Sequence, residues 1–176
     1  MPLSSRKGRR RNNPAPFILF SLVFYLFFSD AALAETLQKL SLEELTREAD
    51  VIIRGRIQKV GSQPTADRSN ITTVVEVAVV DQWKGQKTST LSLRQPGGSA
   101  GGIAQAVPGL PQFFVGEDVI LFLKEIDRGY FSTVGGKQGK FVVKTDPQNR
   151  KEVIEDLTGR SSSLSDFLIR LKTTLK

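Results

Sequence analysis

The chain has 176 residues, with 25 Lys and Arg against 18 Asp and Glu for a formal net charge of +7, and it contains neither cysteine nor histidine. The missing cysteine excludes a disulfide framework, thiol catalysis, a thiolate zinc site and lipid attachment at an N-terminal cysteine. The missing histidine removes the usual general base and the commonest metal ligand.

The basic residues are unevenly placed. Arg6, Lys7, Arg9, Arg10 and Arg11 precede an apolar run from Phe17 to Phe28 that only Ser21 interrupts. Twelve residues are too few to span a bilayer and fit the core of a signal peptide. Asp30 follows, and Ala32 and Ala34 flank Leu33 in an A-x-A arrangement, which predicts cleavage between Ala34 and Glu35. Kept as an anchor, the segment would extend to Ala34 and carry Asp30 into lipid at a cost. That uncleaved form is the one route by which the chain would touch a membrane. The run Arg9 to Arg11 lacks a twin-arginine context, since Asn12, Asn13 and Pro14 stand where apolar residues are needed. Losing residues 1–34 removes five basic side chains and one acidic one, leaving 20 and 17, a net charge of +3. The expectation is an exported chain, periplasmic or secreted, with nucleic acid an unlikely partner because phosphate binding relies on clustered Lys and Arg.

In the mature chain, Ser41 with Glu44 forms a capping box, Leu40 and Leu45 are spaced as a hydrophobic staple, and Leu42, Leu45 and Ala49 make one stripe. A short helix ending near Asp50 is predicted. From Val51 the period changes to two: Val51, Ile53 and Ile57 fall on one face, Arg54, Arg56 and Gln58 on the other. Gly55 marks a bulge or bend. Polar residues 61–70, with Pro64, read as a loop. Ile71 to Trp83 is the longest strand signal, followed by a turn at Lys84 to Lys87 and a hairpin partner carrying Leu91 and Leu93 that Pro96 ends. Residues 95–112 read as a long irregular loop rich in Gly and Pro. Gly116-Glu117-Asp118 is a turn, and Val119 to Leu123 a central strand buried from both sides. Short strands follow at Tyr130 to Val134 and Phe141 to Val143, separated by Gly135-Gly136. Residues 146–162 read as a polar connector. Ser163 with Asp166 then caps an amphipathic helix bearing Leu164, Phe167, Leu168, Leu171 and Leu175, expected to pack on its own domain.

The predicted organisation is a signal peptide (1–34), a β-barrel domain (35–145), and a polar connector with a C-terminal amphipathic helix (146–176). Several short strands between two helices, without βαβ alternation, argue for a mainly β fold, a small antiparallel OB-like barrel.

The chemistry of a catalytic site does not assemble. Gly97 to Gly102 has the glycine spacing of a phosphate loop but continues with Ile103, so the lysine and hydroxyl are missing, and no helix follows for a dinucleotide fingerprint. Glu117-Asp118 is explained by its turn, Glu43-Glu44 by a helix cap, and no calcium-loop pattern occurs. No cofactor or metal is expected. The candidate site is a partner-binding loop represented by Gly97, Gly98, Gly101, Gly102, Ile103, Pro108 and Gly109, since long loops on a rigid scaffold commonly carry recognition.

Three stretches carry a resemblance: Ala49-Asp50-Val51-Ile52-Ile53-Arg54-Gly55-Arg56, the β-branched strand ending in Trp83-Lys84-Gly85, and the glycine loop leading to Val119-Ile120-Leu121-Phe122-Leu123. Together they resemble the netrin-like module of tissue inhibitors of metalloproteinases, an OB-type barrel. Val107-Pro108-Gly109, Gly116 to Leu123 and Gln138-Gly139-Lys140-Phe141 also resemble a widespread group of uncharacterised exported bacterial proteins. The resemblance covers about Ser41 to Val143 and implies the barrel. It does not carry over the inhibitors' mechanism, which places an N-terminal cysteine on the catalytic zinc. The function expected is that of a non-catalytic exported domain engaging another exported protein, a protease among the candidates, through residues 95–112. An OB-type binder of single-stranded nucleic acid or anionic glycan and an unassigned hydrolase are the alternatives.

Overall fold

Val119 to Leu123 is fully buried on both faces because its strand has a layer on either side. The computed structural model describes residues 39–176, so the predicted cleavage residues Ala32, Ala34 and Glu35 lie outside the described residues. In chain order the elements are α1 (Leu42–Glu48), β1 (Val51–Pro64), β2 (Ile71–Lys84), β3 (Thr90–Pro96), β4 (Gly98–Ala100), β5 (Ile103–Gln105), β6 (Asp118–Asp127), β7 (Tyr130–Thr133), a 3-10 turn (Gly136–Gly139), β8 (Lys140–Thr145), β9 (Glu152–Glu155), β10 (Ser161–Ser163) and α2 (Leu164–Thr174). The fold is mainly β with two α-helices. No helix among the described residues is long and apolar enough to cross a membrane.

Five strands close a ring in the order β1-β2-β3-β7-β6, with β6 returning to β1. The β3–β7 pair is parallel and the other ring pairs are antiparallel. Along β6 the side chains alternate between two cores. Val119, Leu121 and Leu123 join Val51, Ile53, Ile57, Val75, Val77 and Leu93 on the inner face. Ile120 and Phe122 join Ile52 in a second core against the two helices. A strand that serves two cores has no polar face, which explains the continuous apolar run.

Gly55 sits at a register shift between β1 and β2. A Cβ there would stand 2.5 Å from Val77 Cγ1 and 2.7 Å from the Ala78 carbonyl oxygen, so only glycine lets β2 approach this closely.

Both helix caps form. Ser41 Oγ accepts from the Glu44 amide at 3.1 Å, and the Glu44 carboxylate accepts from the Ser41 amide at 2.7 Å. The bond from the Ser41 amide first, and the Ser41 hydroxyl beside the carboxylate next, hold the Glu44 carboxyl below its ordinary pKa. Leu164, Phe167 and Leu171 of α2 are buried in the second core, where the rings of Phe122, Phe141 and Phe167 meet at centroid distances of 5.1 to 6.5 Å.

Three segments differ from expectation. β1 runs on to Pro64 through residues predicted as loop, because Lys59 to Pro64 pair with Ile71 to Glu76 of β2. The buried residues of this pairing, Ile71, Thr73 and Val75, lie on β2, while Lys59 to Pro64 bury little and are held by their backbone partners. The predicted connector contains β9 and β10, which continue the sheet from β8. Only Ile154 of β9 is buried, and Glu152 and Glu155 are held by Arg54 and Lys144, so the strand reads as polar. The irregular stretch 95–112 contains the hairpin β4–β5.

Candidate partner-binding site

The hairpin β4–β5 is anchored at its base by a buried hydroxyl. The Gly97 amide donates to the Ile71 carbonyl at 2.7 Å, and the Gly97 carbonyl accepts from Thr73 Oγ1 at 2.6 Å. Gly98, at a φ of 128°, lies so close that a Cβ would collide with Ser62 Oγ and Thr73 Oγ1. Gly101 and Gly102, both left-handed, make the two-residue turn between Ala100 and Ile103. Gln105 fastens the far side: its Oε1 accepts from the Ile71 amide at 2.8 Å, and its Nε2 donates to Asn70 Oδ1 at 3.1 Å.

After the hairpin the chain arches over residues 106–112. The Gly109 carbonyl accepts from the Lys137 amide at 2.8 Å, Gln95 Nε2 donates to the Pro111 carbonyl at 3.1 Å, and Lys140 Nζ donates to the Gln112 carbonyl at 2.5 Å. Lys140 also pairs with Glu117 at 2.7 Å and lies 4.8 Å from the centroid of the Phe113 ring. Its side chain is 9% exposed, so this ammonium serves as a fastener.

The hairpin separates two concavities. The larger, about 720 Å³, lies between the hairpin, the arch and the β9–β10 turn, with Leu110, Lys137, Asp156 and Leu157 in its wall. The smaller, about 630 Å³, lies between the hairpin and residues 64–71, with Arg68, Asn70 and Ile103 in its wall. Of the residues singled out from the sequence, Gly97, Gly98 and Pro108 line the first and Gly101 and Ile103 the second. Gly102 sits at the hairpin tip and Gly109 in the arch, and neither lines a concavity. Ile103 is 67% exposed. Gln105, Lys137, Asp156 and Leu157 were not foreseen. The Gly101-Gly102 pair, a two-residue hairpin signal, could have revealed β5 and with it Gln105. Nothing local links Asp156 or Leu157 to this region.

The carboxylates here are already engaged. Glu155 pairs with Lys144 at 2.7 Å. Burial pushes the Asp156 carboxyl upward, but hydrogen bonds from the Thr158 hydroxyl, the Thr158 amide and the Arg160 amide outweigh it and hold the group below its ordinary range. By contrast, Lys137 Nζ has no hydrogen-bond or ion-pair partner among the described residues.

A second polar cluster joins strands away from these concavities. Arg54 on β1 holds Asp118 through Nε at 3.1 Å and Nη2 at 2.7 Å, and Glu152 on β9 through Nη2 at 2.5 Å. The hydrogen bonds, that to Asp118 first and that to Glu152 next, raise the Arg54 pKa, and the bond from Arg54 lowers that of Glu152. The arrangement ties β9 to the ring. Among the described residues no three His, Cys, Asp or Glu side chains converge on a common point suited to a metal ion.

Comparison with protein-family models, curated proteins and solved structures finds no match to this chain.

Proposed function

We propose that the chain is an exported, non-catalytic binding domain that engages another exported protein through residues 95–112. The observation that carries this reading is the hairpin β4–β5. It is locked at its base by Thr73 and at its side by Gln105, and it presents an exposed Ile103 between two concavities. A rigid projection with concave surfaces on both sides suits recognition of a protein partner. The carboxylates of the larger concavity are held by neighbouring donors, which supports binding over acid–base chemistry.

The connectivity supports an OB-type barrel for the ring. Numbered along the chain, its five strands run 1-2-3-5-4 and close on 1, with the third and fifth parallel, as in a five-stranded Greek-key barrel. The netrin-like resemblance rests on the same ring. A stacking platform for nucleic acid is the weaker reading, since Phe114 is the one strongly exposed aromatic among the described residues.

The test is recovery of the mature protein from its native compartment, with its mass and its cross-linked partners identified. The expected mass begins at Glu35, and a variant with Gly97 to Gly109 shortened loses the partner. A protein that remains solitary at native abundance overturns the proposal.

A further inference from the structure

The outer strand of the hairpin carries backbone groups that have no partner among the described residues. Because Gly101 and Gly102 turn the chain in two residues, Ala100 and Ile103 form a hydrogen-bonded pair, and so do Gly98 and Gln105. Ser99 and Ala104 form the non-bonded pair between them. The N–H and C=O of Ala104 therefore point away from β4. Neither has a partner among the described residues, and the same holds for the N–H and C=O of Ala106. β4 lies beside β1 and β2, which leaves β5 outermost, and both alanines are exposed. Sheet edges are ordinarily blunted by charge, proline, a bulge or a covering element. Residues 103–107 are Ile-Ala-Gln-Ala-Val, with no charge, and no proline comes before Pro108.

We infer that the edge of β5 is a strand-addition site, an inference that rests on the reading of residues 95–112 as the binding region and names how it binds. The occupant is an extended segment of the partner, whose backbone bonds the free N–H and C=O groups of Ala104 and Ala106. Ile103 lines the smaller concavity alone, and Gln105, which borders both, turns its amide to Ile71 and Asn70 on the smaller side. Ala104, one position out of phase, borders both, but it shares its face with Ser99, which lines only the larger one. Successive side chains of an added strand alternate over these two concavities, and that alternation supplies specificity. The Lys137 ammonium, unpaired among the described residues, stands in the wall of the larger concavity and selects a carboxylate on that face, and exposed Ile103 selects an apolar side chain on the other.

A random decapeptide display library, panned on the mature chain, supplies the probes. The selected peptides are expected to alternate apolar and acidic or polar residues and to slow hydrogen exchange at the Ala104 and Ala106 amides. The substitution Ala104→Pro removes an outward donor while keeping the Ile103 and Gln105 bonds to β4, and affinity is expected to fall by about tenfold or more. N-methylation of the peptide at every second residue is expected to abolish binding in one phase and leave it intact in the other. That series leaves the protein untouched, so it decides the matter even where Ala104→Pro disturbs the hairpin. A library that yields no binder, or peptides indifferent to methylation phase, overturns strand addition. If shortening Gly97 to Gly109 abolishes binding but Ala104→Pro leaves it unchanged, strand addition fails and the binding region stands. If neither change matters, the binding region fails as well. An Ala104 amide already protected in a free chain that sediments as a dimer gives the edge to a second copy and likewise overturns the proposal.

Discussion

The Thr73 hydroxyl donates its single proton to the Gly97 carbonyl at 2.6 Å, so the 2.8 Å contact between Ser62 Oγ and Thr73 Oγ1 has Ser62 as its donor. This relay runs from β1 through β2 to the root of the hairpin. Thr73 is 5% exposed, and water cannot readily replace the bond. Thr73→Val keeps the shape and deletes the relay, leaving the Gly97 carbonyl without its buried donor. The expected cost is about 1–2 kcal/mol in urea denaturation. Amide exchange should accelerate in residues 97–105 before it does in the ring.

Gly98 and Gly101 separate steric from conformational cost. Both have positive φ, but only at Gly98 does a Cβ strike neighbouring atoms, the hydroxyls of Ser62 and Thr73; the space around Gly101 is open. Gly101→Ala is expected to cost about 1–2 kcal/mol, the penalty of a left-handed alanine. Gly98→Ala should cost more, because the relay must also move. Thermal melts of the two variants side by side check the order.

α2 is part of the second core. Leu171 is fully buried there, and Phe167 packs against Phe122 and Phe141. Leu171→Ala should therefore destabilise the whole domain by about 2–5 kcal/mol, in one cooperative transition. A helix that melts separately, with the ring unaffected, would contradict this packing.

The Arg54 cluster gives a pH signature. The Glu152 carboxyl is lowered from its ordinary value of 4.5 by the bond from Arg54. A lowered folded-state pKa means that the contribution is fully present above the unfolded value and is lost as pH falls through the folded one. Glu152→Gln should therefore be less stable than the parent above pH 4.5, with the gap closing as the solution is acidified below it. Glu152 is 49% exposed, so solvent screening keeps the effect under about 1 kcal/mol. Urea melts of both proteins across the acid range check the sign.

Where local pattern carries the signal, the chain was legible. The Ser41–Glu44 box, the alternation of Val51, Ile53 and Ile57, the β-branched run from Ile71 and the stripe of Leu164, Phe167 and Leu171 each report a period or a cap that neighbours in sequence define. Residues 152–155 were not legible as a strand. Their charges are neutralised across the sheet by Arg54 and Lys144, partners distant in sequence or lying on another strand. The end of β1 at Lys59 to Pro64 was missed for a related reason, since it is held by backbone pairing and buries little.

The sequence by itself determined the two capped helices, the inner and outer faces of the long strands and the two-sided burial of Val119 to Leu123, because hydrophobic period and capping act over a few residues. It also marked residues 95–112 as unusual. That this stretch folds back as a hairpin, that Thr73 and Gln105 pin it, and that Lys137 and Leu157 join Pro108 around one concavity follow only from closure of the ring and the return of β9 and β10 to the sheet. Those contacts bring together residues far apart in the chain, largely through backbone hydrogen bonds that leave no imprint on side-chain pattern.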